Sequence, residues 1–526
     1  MSISSRSRSV AGHRISEKAL ARFAASRKAG TVLALLMCGL MAAYALWYTS
    51  SGNFPAIPRI QNDYIDLGKA FLGGQLSLQE QPDPRLATLP NPYEFKQRKH
   101  IPYHWDASYF QGKYYLYWGP VPGLIAAGLQ SLSGTPLAAS VLVVLPYIGL
   151  MPIVLALLVE LSRYFPNAAS QWSLGIFILV GFANLPLLYL IGQPRHYQAS
   201  IIYGQLFLLL GLLGVAHYAR AGKPAWLALS GLSWGLALAC RYNLAISVAI
   251  YLLFTLSWLW RRRGQDRLGA ALSALIIPLV MSMAGLGLYN YARFGNPLET
   301  GLTYQLTIPE FREISYSASY IASNLYVYLL YPLTGSGAFP FIQSAHFRLS
   351  MLPARLTIPA GREFDQAIFG LLRTAPAVWL CGLTLPIALL AGRGTRREGT
   401  SSNSTPRNLL FSMSAFAAGG QFAFLLVFFY AAERYVADFY LPLVLCLAMI
   451  IWYVDQRVAG RSVLRIALWS AVVGLTLWTA AIGYFGCFGV PTLVGNYYDP
   501  AMLERLASFW NGCYASLRAI WRAAPG

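Results

Sequence analysis

Eleven apolar stretches, each near the length an α-helix needs to cross a bilayer, divide this chain. They lie at about 30–49, 136–159, 171–192, 199–218, 225–240, 242–260, 268–290, 367–391, 409–431, 438–454 and 465–485. A helix rises about 1.5 Å per residue, so roughly 20 apolar residues cover a hydrocarbon core of about 30 Å. Composition agrees: 56% of the residues are hydrophobic, 11% are charged, and the mean hydropathy is +0.48. A soluble chain carries roughly 25% charged residues. That difference excludes a soluble enzyme, a disordered scaffold and a secreted disulfide module. The chain reads as an all-α polytopic membrane protein with about eleven transmembrane helices. Stretches five and six are the least separated, since only Arg241 stands between them. The first stretch competes with a cleaved signal peptide. Its long basic leader and its end in Trp47-Tyr48, with no small-residue cleavage site, favour a retained span.

Forty Lys and Arg against twenty Asp and Glu give a net charge of +20. Their placement identifies the partner. With residues 1–29 in the cytoplasm, the loops alternate, and the cytoplasmic ones are about threefold denser in basic residues, as the positive-inside rule demands. Arg261-Arg262-Arg263 and the Arg393–Arg397 cluster are then topology signals, and no nucleic acid is expected as a partner. The organisation follows. A basic N-terminus (1–29) and a first span (30–49) precede a long extracytoplasmic loop (50–135). A bundle (136–290), a second outer loop (291–366), a second bundle (367–485) and an outer tail (486–526) complete it.

Six cysteines are scattered. Cys38, Cys240, Cys381 and Cys446 fall in or beside spans, while Cys487 and Cys513 lie beyond the last one and leave a disulfide open. No CxxC, HExxH or His/Cys cluster has metal-ligand spacing, and there is no phosphate-cradling glycine motif. No metal and no cofactor are expected.

The informative polar residues lie in the outer segments. The first loop holds Asn62-Asp63-Tyr64-Ile65-Asp66, then Trp105-Asp106-Ala107-Ser108-Tyr109, then Gly112-Lys113-Tyr114-Tyr115-Leu116-Tyr117-Trp118. Residues 63–78 read as a short amphipathic helix, with Ile65, Leu67, Phe71 and Leu72 suited to the bilayer surface. Residues 124–132 are apolar but too short to span, the pattern of an interfacial or re-entrant helix. Further polar groups stand at Gln193-Pro194-Arg195-His196-Tyr197-Gln198, Arg241-Tyr242-Asn243, Tyr289 through Gly301, and Glu433-Arg434-Tyr435-Val436-Ala437-Asp438. Charges at membrane depth face a cavity or one another. These segments therefore suggest a polar pocket opening on one side of an apolar bundle.

One span followed by a long outer loop with an early acidic residue resembles the GT-C superfamily of membrane glycosyltransferases. The 112–118 segment is similar to one in relatives of the protein O-mannosyltransferases and lipid A aminoarabinose transferases. The Asn290–Gly301 run and Arg434–Phe439 resemble segments of bacterial family 39-type proteins. The chain departs from the family's acidic pair, because Asn62 precedes Asp63 and Asp66 lies a turn later. The resemblance implies a multi-pass protein of the bacterial cytoplasmic membrane with an extracytoplasmic active site. It would transfer a sugar from a polyprenyl-phosphate donor to an acceptor hydroxyl on a glycan, lipid or protein.

That chemistry needs a carboxylate near the acceptor hydroxyl and cations near the donor phosphate. Asp63 is the leading general base and Asp106 the second; Asp63, at the start of the amphipathic helix, competes with a plain capping role. Lys113, Arg195, Arg241, Arg293 and Arg434 are the candidate phosphate cations, and Glu299 and Asp438 are more distant acidic candidates. Arg434 also reads as a structural ion pair with Glu433, Lys113 as a snorkelling side chain, and His196 as a packed histidine. Two other functions compete. A transporter or flippase of lipid-linked sugars predicts ionisable residues in mid-span, where Arg373 is the main example. An inactive GT-C-like scaffold predicts tolerance of Asp63→Asn.

Overall fold

A computed structural model describes residues 17–52, 62–134, 136–165, 168–264, 267–307, 316–343, 351–353, 356, 358–359, 368–382, 404–490 and 499–523. The Arg393–Arg397 cluster, the basic residues before 17 and Asn496-Tyr497-Tyr498 lie outside them. The principal helices are α1 (Glu17–Thr49), α2 (Asp63–Leu72), α3 (Val121–Ser133), α4 (Val141–Ser162), α5 (Leu174–Phe182), α6 (Leu185–Gly192) and α7 (His196–Ala221). They continue with α8 (Pro224–Leu238), α9 (Ala245–Arg261), α10 (Leu268–Phe294), α11 (Ser404–Val427), α12 (Ala437–Arg457), α13 (Ser462–Gly489) and α14 (Pro500–Ala523). The longer strands form one hairpin, β1 (Ser108–Phe110) antiparallel to β2 (Lys113–Tyr115).

Among the described residues, eight helices are long and apolar enough to cross a membrane, and a bent pair makes up to nine. The all-α polytopic class holds. Three of the eleven expected spans take a different form. Residues 171–192 form two helices that meet at 54°. Asn184 causes the break: its side chain accepts the Leu187 N–H at 2.9 Å, and its amide donates to Val180 and Gly181 carbonyls at 3.1 and 2.8 Å. Pro186 then sits in the first turn of α6. A Cβ on Gly483 would lie 2.2 Å from the Ala183 oxygen, so α13 crosses at the bend with backbone against backbone. Residues 225–240 become the 15-residue α8, about 22 Å long. Of 367–391, residues 367 and 383–391 lie outside the described residues. The described part holds a four-residue helix, Leu371–Thr374, and a turn at Pro376–Val378, because Pro376 interrupts the helical run. Arg373 is exposed there.

Burial assigns each helix its place. α7 and α12 are surrounded by other helices, whereas α1 and α10 expose apolar side chains such as Leu36, Leu40, Ile277 and Met281. Such a surface suits lipid. Helix α2 does not lie flat on a bilayer. Ile65 and Leu67 are buried against α3, where a Gly68 Cβ would come within 2.9 Å of the Ala127 nitrogen; only Leu72 of the four expected surface residues is exposed. Glycines at the crossing let the helices approach closely, and close packing takes precedence over a solitary surface position.

The cysteines are all free. Cys487 is buried beneath α1, with Tyr48 donating to its carbonyl at 3.1 Å, while Cys513 lies half-buried on α14. The disulfide left open by the sequence is therefore not formed.

Candidate active site

The N-terminal ends of α2, α7 and α12 come to one end of the bundle, together with the hairpin loop. Asn62, not Asp63, caps α2: its Oδ1 accepts the Tyr64 N–H at 2.9 Å, and its amide donates to the Pro194 carbonyl at 2.8 Å. That second bond fastens α2 to the turn before α7. Tyr64 adds a bond to the Gly119 carbonyl at 3.2 Å. Gly119 itself lies so close to Ala239 that a Cβ would sit 1.9 Å from its oxygen. The first loop is thereby held in register with α7 and α8.

With capping assigned to Asn62, the Asp63 carboxylate is left to two histidines. Its Oδ2 lies 2.9 Å from His196 Nδ1 and 3.2 Å from His104 Nε2, and all three residues are largely buried. The other nitrogen of His104 meets Glu80 Oε2 at 2.7 Å. Burial by itself would raise the Asp63 carboxyl. The electrostatic pull of His196 and the hydrogen bonds from both histidines outweigh it and hold the group well below the usual carboxylate range. The hydrogen bond to Asp63 pushes His104 up to about 9 against its desolvation, and the charge of Asp63 and the Glu80 contact add to the rise. The helix N-terminus of α2 also favours a negative charge at Asp63.

Beside this cluster stands a second one. Asp106, at a left-handed φ of 64°, accepts from the Tyr197 hydroxyl and from Gln305 Nε2, the latter at 3.0 Å. The Asp106 N–H donates to Leu306 O, and the Leu306 N–H donates to Ala107 O, so the 301–306 segment fixes the position of Asp106. Trp118 joins the two clusters, with ring centroids 4.6 Å from His196 and 5.0 Å from Tyr197. The buried Arg434 guanidinium lies over Tyr197 at 4.6 Å and over Tyr435 at 4.9 Å. Asp63, Asp106 and Arg434 are thus brought together through His196-Tyr197 and Trp118.

The other expected residues are placed differently. Arg241 is buried in a bidentate pair with Asp438, its Nε and Nη2 donating at 3.0 and 2.8 Å, and Asn243 donates to the same carboxylate at 3.0 Å. Arg293 donates to the Leu116 carbonyl at 2.5 Å and to Asn290 at 2.7 Å, with its guanidinium 3.9 Å over Tyr289. It joins α10 to the hairpin. Glu299 accepts the Gly301 N–H at 2.7 Å and shapes the turn that leads to Gln305. These four ionisable groups are engaged by the protein itself. Lys113 is exposed near the hairpin tip, and Arg195 is exposed just before α7. Asp66 pairs with Lys69 at 3.0 Å on the outer side of α2. Glu433 accepts the Phe369 N–H at 3.0 Å.

His104, Tyr197, Trp118 and Glu80 were not singled out by sequence reasoning as functional, and His196 was read as a packed residue. Two signals were present: His104 lies two residues before Asp106, and His196-Tyr197 follows Arg195 in a polar turn between two apolar stretches. Among the described residues, no group of three or more His, Cys, Asp or Glu side chains is arranged to hold a metal ion.

No protein-family model matches the chain, and no curated protein matches it. Solved structures similar in fold include the apo oligosaccharyltransferase of Archaeoglobus fulgidus, with TM-score 0.44 and 13% identity over 86% of this chain and 54% of that one. Another is the AglB oligosaccharyltransferase of the same organism in complex with an inhibitory peptide and a dolichol-phosphate, with TM-score 0.41, 13% identity, and coverage of 85% and 55%. A third is ArnT from Cupriavidus metallidurans bound to undecaprenyl phosphate, with TM-score 0.40, 11% identity, and coverage of 86% and 74%. The chain spans about half the length of the oligosaccharyltransferases.

Proposed function

We propose that this chain is a membrane glycosyltransferase. It takes a sugar from a polyprenyl-phosphate-linked donor and passes it to an acceptor hydroxyl on the extracytoplasmic face of a bacterial cytoplasmic membrane. The observation that carries the reading is the buried Asp63 carboxylate held between His104 and His196, next to Asp106-Tyr197 and Arg434 at one end of an apolar bundle. A transfer of this kind needs four things in one place. It needs an apolar surface for the lipid, a cation for the phosphate, a proton acceptor for the hydroxyl, and a wall that excludes water.

The residues supply each of them. Arg434 and the exposed Arg195 are cations beside this cluster that would meet the donor phosphate, Arg434 as a planar fork that matches phosphate oxygens. Trp118, Tyr117 and Tyr197 pack as an aromatic wall beside the cluster. The Asp63 cluster takes the acceptor proton as the new C–O bond forms and the sugar–phosphate bond breaks, with the electron pair leaving on the phosphate oxygen. A phosphate is a good leaving group, so the reaction calls for no further cofactor. Arg241, whose charge is already matched by Asp438, has no part in this scheme.

The test compares lipid-linked glycans and surface polysaccharide in cells carrying wild type, Asp63→Asn, Asp106→Asn and a deletion, at matched protein levels. Loss of a general base, or of the carboxylate that orients it, lowers rates about 10²–10⁴-fold. Asp63→Asn is therefore expected to reproduce the deletion: the donor accumulates and the product is lost. If the deletion alters the glycans while Asp63→Asn behaves as wild type, the transferase reading fails, and the flippase or scaffold readings take its place.

A further inference from the structure

We propose that the proton of the acceptor hydroxyl goes to Nε2 of His196, and that Asp63 is the residue that positions this imidazole. The proposal rests on the transferase reading above and assigns its proton-transfer atom. The two histidines on Asp63 look alike in sequence, but their second nitrogens distinguish them. An ionised carboxylate can only accept hydrogen bonds. His104 has a carboxylate at each nitrogen, Asp63 at 3.2 Å and Glu80 at 2.7 Å, so both nitrogens donate and the ring is an imidazolium with no lone pair to offer. His196 has one carboxylate, at Nδ1. Nδ1 therefore carries a hydrogen, and in the neutral ring the lone pair is on Nε2.

That nitrogen is buried and, among the described residues, has no hydrogen-bond partner. The side chain is 8% exposed, and its ring lies 4.6 Å from Trp118 and 4.0 Å from Tyr197. A buried polar atom without a partner is costly and is retained where something else bonds it. An acceptor hydroxyl supplies that bond. The step balances: the acceptor oxygen bonds to the sugar's anomeric carbon and the carbon–phosphate-oxygen bond breaks. The hydroxyl proton moves to Nε2, and the resulting imidazolium is stabilised by Asp63 before it releases the proton to water. Asp63, with Oδ2 accepting from two donors, is the orienting anion, as in other carboxylate–histidine pairs. The titratable and charged groups around His196 include Asp63, with His104 and Glu80 beyond it; Arg195 and Tyr197 beside it in the chain; Asp106 on the Tyr197 hydroxyl; Tyr117 next to Trp118; and Arg434 over Tyr197.

The experiment uses purified full-length protein added to membranes of the deletion strain, which supply donor and acceptor, with product read by mass spectrometry across a pH series. Binding of undecaprenyl phosphate is measured in parallel. His196→Asn keeps an amide that can donate to Asp63 and removes Nε2. It is expected to retain the wild-type melting temperature and undecaprenyl phosphate affinity, to lose about 10²–10⁴-fold in kcat, and to lose the acidic limb of the pH profile. His104→Gln is expected to keep that limb. Added imidazole is expected to restore part of the His196→Ala rate.

A His196→Asn rate above about a tenth of wild type with the acidic limb intact would overturn the base assignment alone, and the transferase reading would stand. Activity that vanishes with a chelator and returns with Mn²⁺ would also overturn it, since an ion would then occupy the nitrogen. A wild-type protein that makes no product, in a strain whose deletion leaves the glycans unchanged, would overturn both.

Discussion

Replacing Asp438 with Asn tests whether Arg241 is a structural cation or a phosphate ligand. Asp438 is completely buried in the first turn of α12, and Arg241 is 9% exposed in the connection between α8 and α9. Nε and Nη2 of Arg241 donate to both oxygens at 3.0, 3.2 and 2.8 Å, and Asn243 adds a fourth contact at 3.0 Å. Removing one partner of such a pair leaves a buried charge without compensation and costs about 3–5 kcal/mol. At about 1.4 kcal/mol per decade, the folded-to-unfolded ratio falls by roughly a hundred- to a few thousand-fold. Replacing both partners with apolar side chains, Arg241→Met with Asp438→Leu, should cost less than either single change. Reversible unfolding in mixed micelles, followed by tryptophan fluorescence, measures all three variants. Undecaprenyl phosphate binding is measured on the same preparations. A cost below about 1 kcal/mol for Asp438→Asn would refute the reasoning. So would an Arg241→Met variant that keeps its stability and loses the lipid phosphate, because Arg241 would then be the ligand that the sequence proposed.

Gly119→Ala should lower turnover about a hundredfold, because the Cβ would lie 1.9 Å from Ala239 O and the loop must move by roughly an ångström, carrying Trp118 off His196. Gly128→Ala, with nothing within 4 Å, is the control and should stay within about 0.5 kcal/mol of wild type. The Asp63–His104 contact should make stability depend on pH in two directions. His104, raised from 6.5 to about 9, contributes fully below 6.5, and that contribution is lost as pH rises through about 9. Asp63, lowered from 3.8, contributes above that value, and its part is lost as pH falls below it. The melting-temperature gap between wild type and His104→Gln is therefore expected to be widest between about pH 4 and 6.5 and to close above about 9; a flat gap would contradict the assignment. Glu80→Gln removes the carboxylate from His104 Nδ1, so the same wild-type-minus-variant comparison should show the His104 loss at lower pH.

The spans could be read from the chain because one physical constraint, the thickness of the hydrocarbon, acts on consecutive residues. Where a span is broken, the cause is also local, as at Asn184 and Pro186, but it is a single side chain inside a strongly apolar run and is easily outweighed in the reading. The site is a different matter. Asp63 and Asp106 could be picked as acids in a polar loop, yet what each does depends on groups brought from elsewhere: His196 to the first, Tyr197 and Gln305 to the second. The same holds for the cations. Arg241 and Arg434 look equivalent in sequence, and only folding shows that Arg241 meets a carboxylate 197 positions away while Arg434 lies over tyrosine rings. Pairing across such separations leaves no trace in local spacing.

The division of labour between His104 and His196 follows from where their elements end. His104 lies in the long first loop, which reaches far enough outward to bring its Nδ1 to the half-exposed Glu80. His196 is the first residue of α7, so its backbone is fixed by a helix, and its ring is held between Asp63 and Trp118 with Nε2 left unpartnered among the described residues. One carboxylate thus holds an imidazolium that is shared with Glu80 and an imidazole that no second carboxylate meets among the described residues. The two histidines together keep Asp63 ionised despite its burial, and an ionised Asp63 in turn sets a hydrogen of His196 on Nδ1. Removing His104 should therefore act on His196 through Asp63 alone, a route that needs no movement of α7. The first loop thus reaches the hydrogen bonding of a residue at the start of α7, one of the two most buried long helices among the described residues.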